Sequence, residues 1–109
     1  MGIQPLGNSN LFRMIDLQPG VVVVMFTAAA CGACRQMHAA LEQCPELNVI
    51  EVDAGEEQAL ANEFEVFHLP ALFVYRNGYY HGALEVEPLP SHIRAEIEAL
   101  LARPPQDPP

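Results

Sequence analysis

Six consecutive apolar residues, Val21-Val22-Val23-Val24-Met25-Phe26, constrain this chain more than any other feature. β-Branched side chains are stiff at χ1 and suit the pleated strand better than the helix. The run is apolar at every position, not at every second one. That pattern fits a strand buried on both faces, and such strands usually belong to parallel sheets covered by helices. An α/β layer architecture is therefore the first expectation.

The segments on either side extend it. Asn8 or Ser9 is positioned to cap a short first helix ending near Leu17, with Leu11, Phe12 and Ile15 as its apolar face. Pro19-Gly20 ends that helix. Residues from Gly32 to about Gln43 are rich in helix formers, and Cys34, Met37, Leu41 and Cys44 fall on one stripe. Pro45 stops this second helix, and Leu47 to Asp53 reads as a strand. Glu56 to Phe64 reads as a third helix with acids in its first turn, where the helix dipole favours them. Strand–helix–strand in this order implies a right-handed parallel crossover.

After Pro70, Ala71 to Tyr75 reads as a strand, Asn77-Gly78 as a type I′ turn, and Tyr79 to about Val86 as the returning antiparallel strand. Pro88 and Pro90 break it, and Ser91 is placed to cap a last helix carrying Ile93, Ile97, Leu100 and Leu101. A single domain over residues 1–102 is expected, with residues 103–109 as a Pro-rich tail, extended or disordered.

Composition narrows the function classes. The chain has 109 residues, half of them hydrophobic, enough for one ordinary core. Fourteen acidic against five basic side chains give a formal charge of −9, a poor match for nucleic acid or an anionic membrane. The first residues lack the basic and apolar regions of a secretory signal. No apolar run reaches the roughly 20 residues that span a bilayer. A reducing cytoplasm is the expected location.

Three cysteines in a reducing compartment argue for metal binding or redox catalysis and against a disulfide framework. Cys31 follows the buried strand and starts the second helix, where free N–H groups and the dipole stabilise a thiolate. Cys34 lies one turn further in and should be less exposed. Two intervening residues let the Cβ atoms approach disulfide range without breaking the helix. Cys31 is thus the expected nucleophile on a substrate disulfide, and Cys34 the residue that resolves the mixed disulfide. Zinc also uses this spacing, but a structural site wants four ligands. Cys44, His38, His68, His81 and His92 form no second paired motif, so neither metal nor cofactor is expected.

Two modulators are candidates. Arg35 is a cation just inside the helix, and His68 precedes Pro70 by two residues, where the loop could bring it toward Cys31. His38 is two helical turns from Cys31, too far to act on it directly, and His81 and His92 read as surface residues. Cys44 lies about 15 Å along the helix from Cys34 and reads as a small buried hydrophobe.

The stretch Val21–Leu41, with Cys31-Gly32-Ala33-Cys34, resembles the active-site strand, loop and helix of the thioredoxin family. A second block, Ala61, Phe64, Val66, Leu69 and Pro70 followed by Leu72-Phe73-Val74-Tyr75-Arg76-Asn77-Gly78, matches that family's spacing around its cis-proline. The resemblance implies a thioredoxin-like fold, a central mixed sheet of four to five strands flanked by helices. It implies a protein-disulfide oxidoreductase, with a disulfide-containing protein as substrate and a reductase as electron donor; a monomer is expected. Pro70 would be the cis-proline, and Leu69 and Pro70 would border the substrate, whose extended backbone pairs there.

The chain also departs from the family. Ala30 stands where a tryptophan precedes the first cysteine, and Met25 where a buried aspartate serves the resolving cysteine. Val49 stands where its lysine partner lies, Ala33 replaces the proline between the cysteines, and Ala71 the threonine after Pro70. Without the buried acid, Cys34 needs another route for its proton. The alternative function is a thioredoxin-fold binding, assembly or redox-sensing module with little turnover.

Overall fold

The computed structural model describes residues 2–109. Nine elements follow in order: β1 (Gly2–Pro5), α1 (Leu11–Leu17), β2 (Val21–Thr27), α2 (Gly32–Glu42), β3 (Asn48–Asp53), α3 (Gln58–Glu63), β4 (Ala71–Arg76), β5 (Tyr79–Leu84) and α4 (Pro90–Leu101). The strands form one mixed sheet in the order β1-β3-β2-β4-β5. β1 and β2 both run parallel to β3, whereas β4 is antiparallel to β2 and to β5. The apolar run is the central strand: Val22 through Phe26 are at most 1% exposed.

Alternation along the strands sorts side chains to two faces. Val22, Val24, Phe26, Ile50, Val52, Phe73 and Tyr75 pack with α1 and with Phe64 at the end of α3. Val23, Met25, Val49, Leu72 and Val74 pack with Met37 and Leu41 of α2 and Ile93 and Ile97 of α4. Arg94 ties these two helices outside the core. Its Nε donates to Glu46 Oε2 at 2.7 Å, and its Nη2 donates to the Gln43 carbonyl that ends α2 at 2.9 Å. That guanidinium holds the Glu46 carboxyl below the usual range.

Several local expectations need correction. The cap of α1 is Asn10, whose side chain accepts from the Arg13 N–H at 3.1 Å, not Asn8 or Ser9. Phe12 is 43% exposed and only stacks on Phe64, because Leu11 and Ile15 already fill the inner face. Glu56 and Glu57 precede α3 instead of occupying its first turn. There the Asp53 carboxylate accepts from the Gly55 and Glu56 N–H groups and turns the chain first. Leu89 caps α4, with Pro90 preset for the first turn and Ser91 inside the helix. β5 ends at Leu84.

His81 is not a surface residue: it is 3% exposed, its ring nitrogen 3.4 Å from the Leu100 carbonyl. Its neighbour Gly82 has φ 133°, and a Cβ there would stand 3.1 Å from both the Leu100 side chain and the Gln106 amide. Glycine lets the end of α4 and the tail close over β5. The Gln106 N–H donates to the Tyr80 carbonyl at 2.7 Å, and its side-chain amide to the His81 carbonyl at 3.3 Å.

Candidate active site

β2 delivers the chain to the head of α2 through Ala28–Ala30, and Ala30 takes a left-handed φ of 59°. The following residue, Cys31, is extended and is the N-cap of α2. Its sulfur accepts from the Cys34 N–H at 3.2 Å. That donor is one of the four that a helix start leaves without a backbone partner. The same N–H can stabilise a thiolate when the pair is reduced. Cys31 is partly exposed and Cys34 is 4% exposed, as their places on the helix predict. The two form a disulfide, with Cα atoms 5.2 Å apart. The outer sulfur is open to a partner and the inner one is placed to resolve.

Arg35 is exposed, and its guanidinium folds back toward the helix start. Nη2 lies 3.7 Å from where a Cβ on Gly32 would stand. Arg35, Cys31 and Cys34 share a shallow depression with His38, Glu42, Glu51 and Asp53. Met25 lies fully buried in the core and is not one of the residues that line this depression.

A second wall comes from the loop before β4. α3 closes with the Glu65 N–H on the Asn62 carbonyl and the Val66 N–H on the Ala61 carbonyl, with Glu65 at φ 54°. This left-handed closure aims Val66-Phe67-His68-Leu69-Pro70 across the sheet end. The Leu69–Pro70 peptide is cis. Pro70 lines a groove of about 620 Å³ together with Ala33, Phe67, His68 and Val86. Leu69 is half-buried and packs on the aromatic face of the core. His68 is exposed on the groove wall, apart from the depression that holds the cysteines.

Cys44 is fully buried, and its sulfur faces the Ala40 carbonyl at 3.7 Å. Burial pushes its thiol pKa up, so it takes no part as a thiolate near neutral pH. Among the described residues, no group of three or more His, Cys, Asp and Glu converges as metal ligands would. No helix among them is long and apolar enough to cross a membrane.

Two features escaped the sequence reading. Phe67 is 91% exposed beside Pro70, an aromatic offered to solvent at the groove. An apolar residue in a short loop between a helix end and a proline was the available signal. The other is the contact of His38 Nδ1 with Glu51 Oε2 at 3.2 Å, between residues thirteen apart in sequence.

The thioredoxin family profile matches residues 3–99. A thioredoxin of Staphylococcus haemolyticus is 31% identical over 83 residues, which cover 72% of this chain and 78% of that one. A thioredoxin of Staphylococcus saprophyticus is 32% identical over 68 residues, covering 58% of this chain and 65% of the relative. Among solved structures, thioredoxin from Trypanosoma brucei brucei superposes with a TM-score of 0.71 at 23% identity, covering 94% of this chain and 93% of that one. This last likeness bears on the fold.

Proposed function

This chain belongs to the thioredoxin family and carries thiol–disulfide oxidoreductase chemistry on Cys31 and Cys34, and from that premise we propose that it reduces disulfides in protein substrates. The observation that carries the reading is the placement of the pair. Cys31 is the accessible N-cap of α2 with a backbone N–H on its sulfur, and Cys34 is buried one turn behind it.

The cycle follows from that placement. The Cys31 thiolate attacks one sulfur of the substrate disulfide and expels the other as a thiolate, which takes a proton from water. Cys34 loses its proton and attacks the Cys31 sulfur, releasing the second substrate sulfur. The Cys31–Cys34 disulfide remains, and a reductase returns two electrons and two protons. An extended substrate segment pairs with the backbone beside Leu69 and Pro70. The Phe67 ring adds apolar contact where Ala30 offers little. Arg35 modulates from the rim of the depression that holds the pair, and His68 borders the neighbouring groove beside Pro70. We place this protein in the cytoplasm as a monomer, in keeping with its charge of −9 and the reducing conditions the dithiol needs.

The test is an equilibrium titration of the Cys44→Ser variant in graded glutathione buffers, with free thiols alkylated and counted by intact mass. A disulfide reducible only near or below about −250 mV makes this protein a reductant; one reducible near about −180 to −120 mV makes it an isomerase or oxidant. Failure to form the intramolecular disulfide anywhere in the range hands the fold to the binding-module reading. So does full activity in Cys31→Ser.

A further inference from the structure

Met25 removes the carboxylate that would sit beneath the redox pair, and the fully buried Val49 removes its cationic partner. The structure has a polar pair nearby instead. Glu51 is the β3 residue in register with Met25, and the strand alternation that sends Val49 to the α2 face sends Glu51 there too. Its carboxylate meets His38 of α2 at 3.2 Å. His38 is four residues past Cys34, so the two stand on one helix face with Cβ atoms about 5–6 Å apart. Cys34, His38 and Glu51 line the same depression, which opens to solvent beside Cys31.

We infer that His38, oriented by Glu51, is the proton acceptor for Cys34 in the resolving step, directly or through one water in the depression. The assignment rests on the dithiol reading above and adds its missing proton route. The tautomer follows from the contacts. Nδ1–H donates to Glu51 Oε2, which leaves the Nε2 lone pair to accept. In the mixed disulfide, the Cys34 S–H gives its proton to Nε2. The Cys34 thiolate attacks the Cys31 sulfur, the Cys31–substrate S–S bond breaks, and the substrate leaves as a thiolate. That thiolate takes the proton from the imidazolium. Two sulfurs are reduced in the substrate, two are oxidised in this chain, and His38 ends as it began.

The imidazolium formed in this step has carboxylates beside it. Glu51 faces Nδ1, and Glu42 Oε1 on the next turn of α2 lies 3.9 Å from Nε2. The other charged groups on the depression are Arg35 on α2 and Asp53 on β3, the latter engaged by the Gly55 and Glu56 N–H groups. His38 is too far along the helix to serve Cys31, so it should act on the second step alone. Glu51 is a positioning residue.

The two steps separate in one experiment. Reduced full-length protein in a Cys44→Ser background is mixed with 5,5′-dithiobis(2-nitrobenzoate) in a stopped-flow instrument. The first thionitrobenzoate reports attack by Cys31, the second resolution by Cys34. We expect His38→Gln to slow the second release about tenfold or more near neutral pH and to move its rise to higher pH, with the first release unchanged. Added imidazole should restore the second release in His38→Ala. Glu51→Gln should give a smaller slowing of the same phase, and it carries the test alone if the His38 variants fail to fold. An unchanged second release and pH profile in His38→Gln overturns the assignment, as does equal slowing of both releases. Loss of both releases in the unsubstituted protein would strike the oxidoreductase reading itself.

Discussion

The two faces of the sheet are built from different chemistry. Facing α1 and α3, Phe26, Phe64 and Phe73 form a triangle of rings with centroids 4.9 to 5.8 Å apart, and Tyr75 and Tyr80 continue it at 5.2 Å. Facing α2 and α4, the apolar core is aliphatic or sulfur-bearing throughout, Met25, Met37 and Cys44 among its residues, and the buried His81 meets only the end of α4 at Leu100. Tilted and edge-on rings favour fixed mutual angles. Methionine and small aliphatics fill irregular space and tolerate change. The redox pair stands on the second face. Its helix rests on an adaptable apolar bed, with polar groups kept to the rim, while the first face fixes the sheet.

That contrast is open to direct attack, and the largest effects come first. Phe26→Ala removes the ring that touches both Phe64 and Phe73 and should cost about 3–5 kcal/mol in urea unfolding. Met25→Leu, one residue away on the other face, should cost less than about 1.5 kcal/mol. Equal costs would erase the distinction between the faces. Next, Met25→Asp should lower stability at neutral pH by about 3 kcal/mol, because Val49 supplies no counter-charge. A buried carboxyl has a raised pKa, so this penalty should shrink as pH falls through that raised value and be smallest below about 4, the unfolded value, where the acid is protonated in both states. A penalty independent of pH would mean that the aspartate reaches solvent through the depression.

The smallest expected change is a gain. The Tyr75 hydroxyl is buried with no hydrogen-bond partner, and burial pushes its pKa well up. Tyr75→Phe should therefore raise stability by about 1 kcal/mol. The sign of the pH effect follows. Burial raises Tyr75 and Tyr80 in the folded state, so the stability held below about pH 10 should be lost as pH climbs past it and the unfolded chain ionises first. Urea midpoints from pH 8 to 11 should fall less steeply in Tyr75→Phe. An equal slope would place that loss elsewhere.

Much of this was legible before any coordinates, for reasons that differ by element. β2, α2 and the Asn77-Gly78 turn announce themselves through local chemistry: a solid apolar run, a helical stripe, and two residues content with positive φ, here 52° and 82°. β1 did not, because four residues that include Pro5 become a strand only by pairing with β3 far along the chain. Leu89 as a cap was hidden for the opposite reason: tertiary packing and Pro90 start α4 without a polar cap, so Ser91 misled. At the site, the cysteine pair could be read from spacing. The Glu51–His38 contact could not, since it exists only once a helix lies over a strand. His81 read as surface because its cover is the Leu100 turn and the Gln106 side chain, both distant in sequence.

The tail contact along β5 also bears on how these molecules tolerate one another. A sheet border is a row of unspent donors and acceptors that invites a neighbour's strand. At one border Gln106 already occupies the Tyr80 and His81 carbonyls. At the other, β1 is only four residues long and ends in Pro5, which has no N–H to offer. Both margins are thereby poor templates for stacking. At high concentration this fold should stay dispersed, and encounters between copies should be decided by side chains and charge instead of by shared ladders.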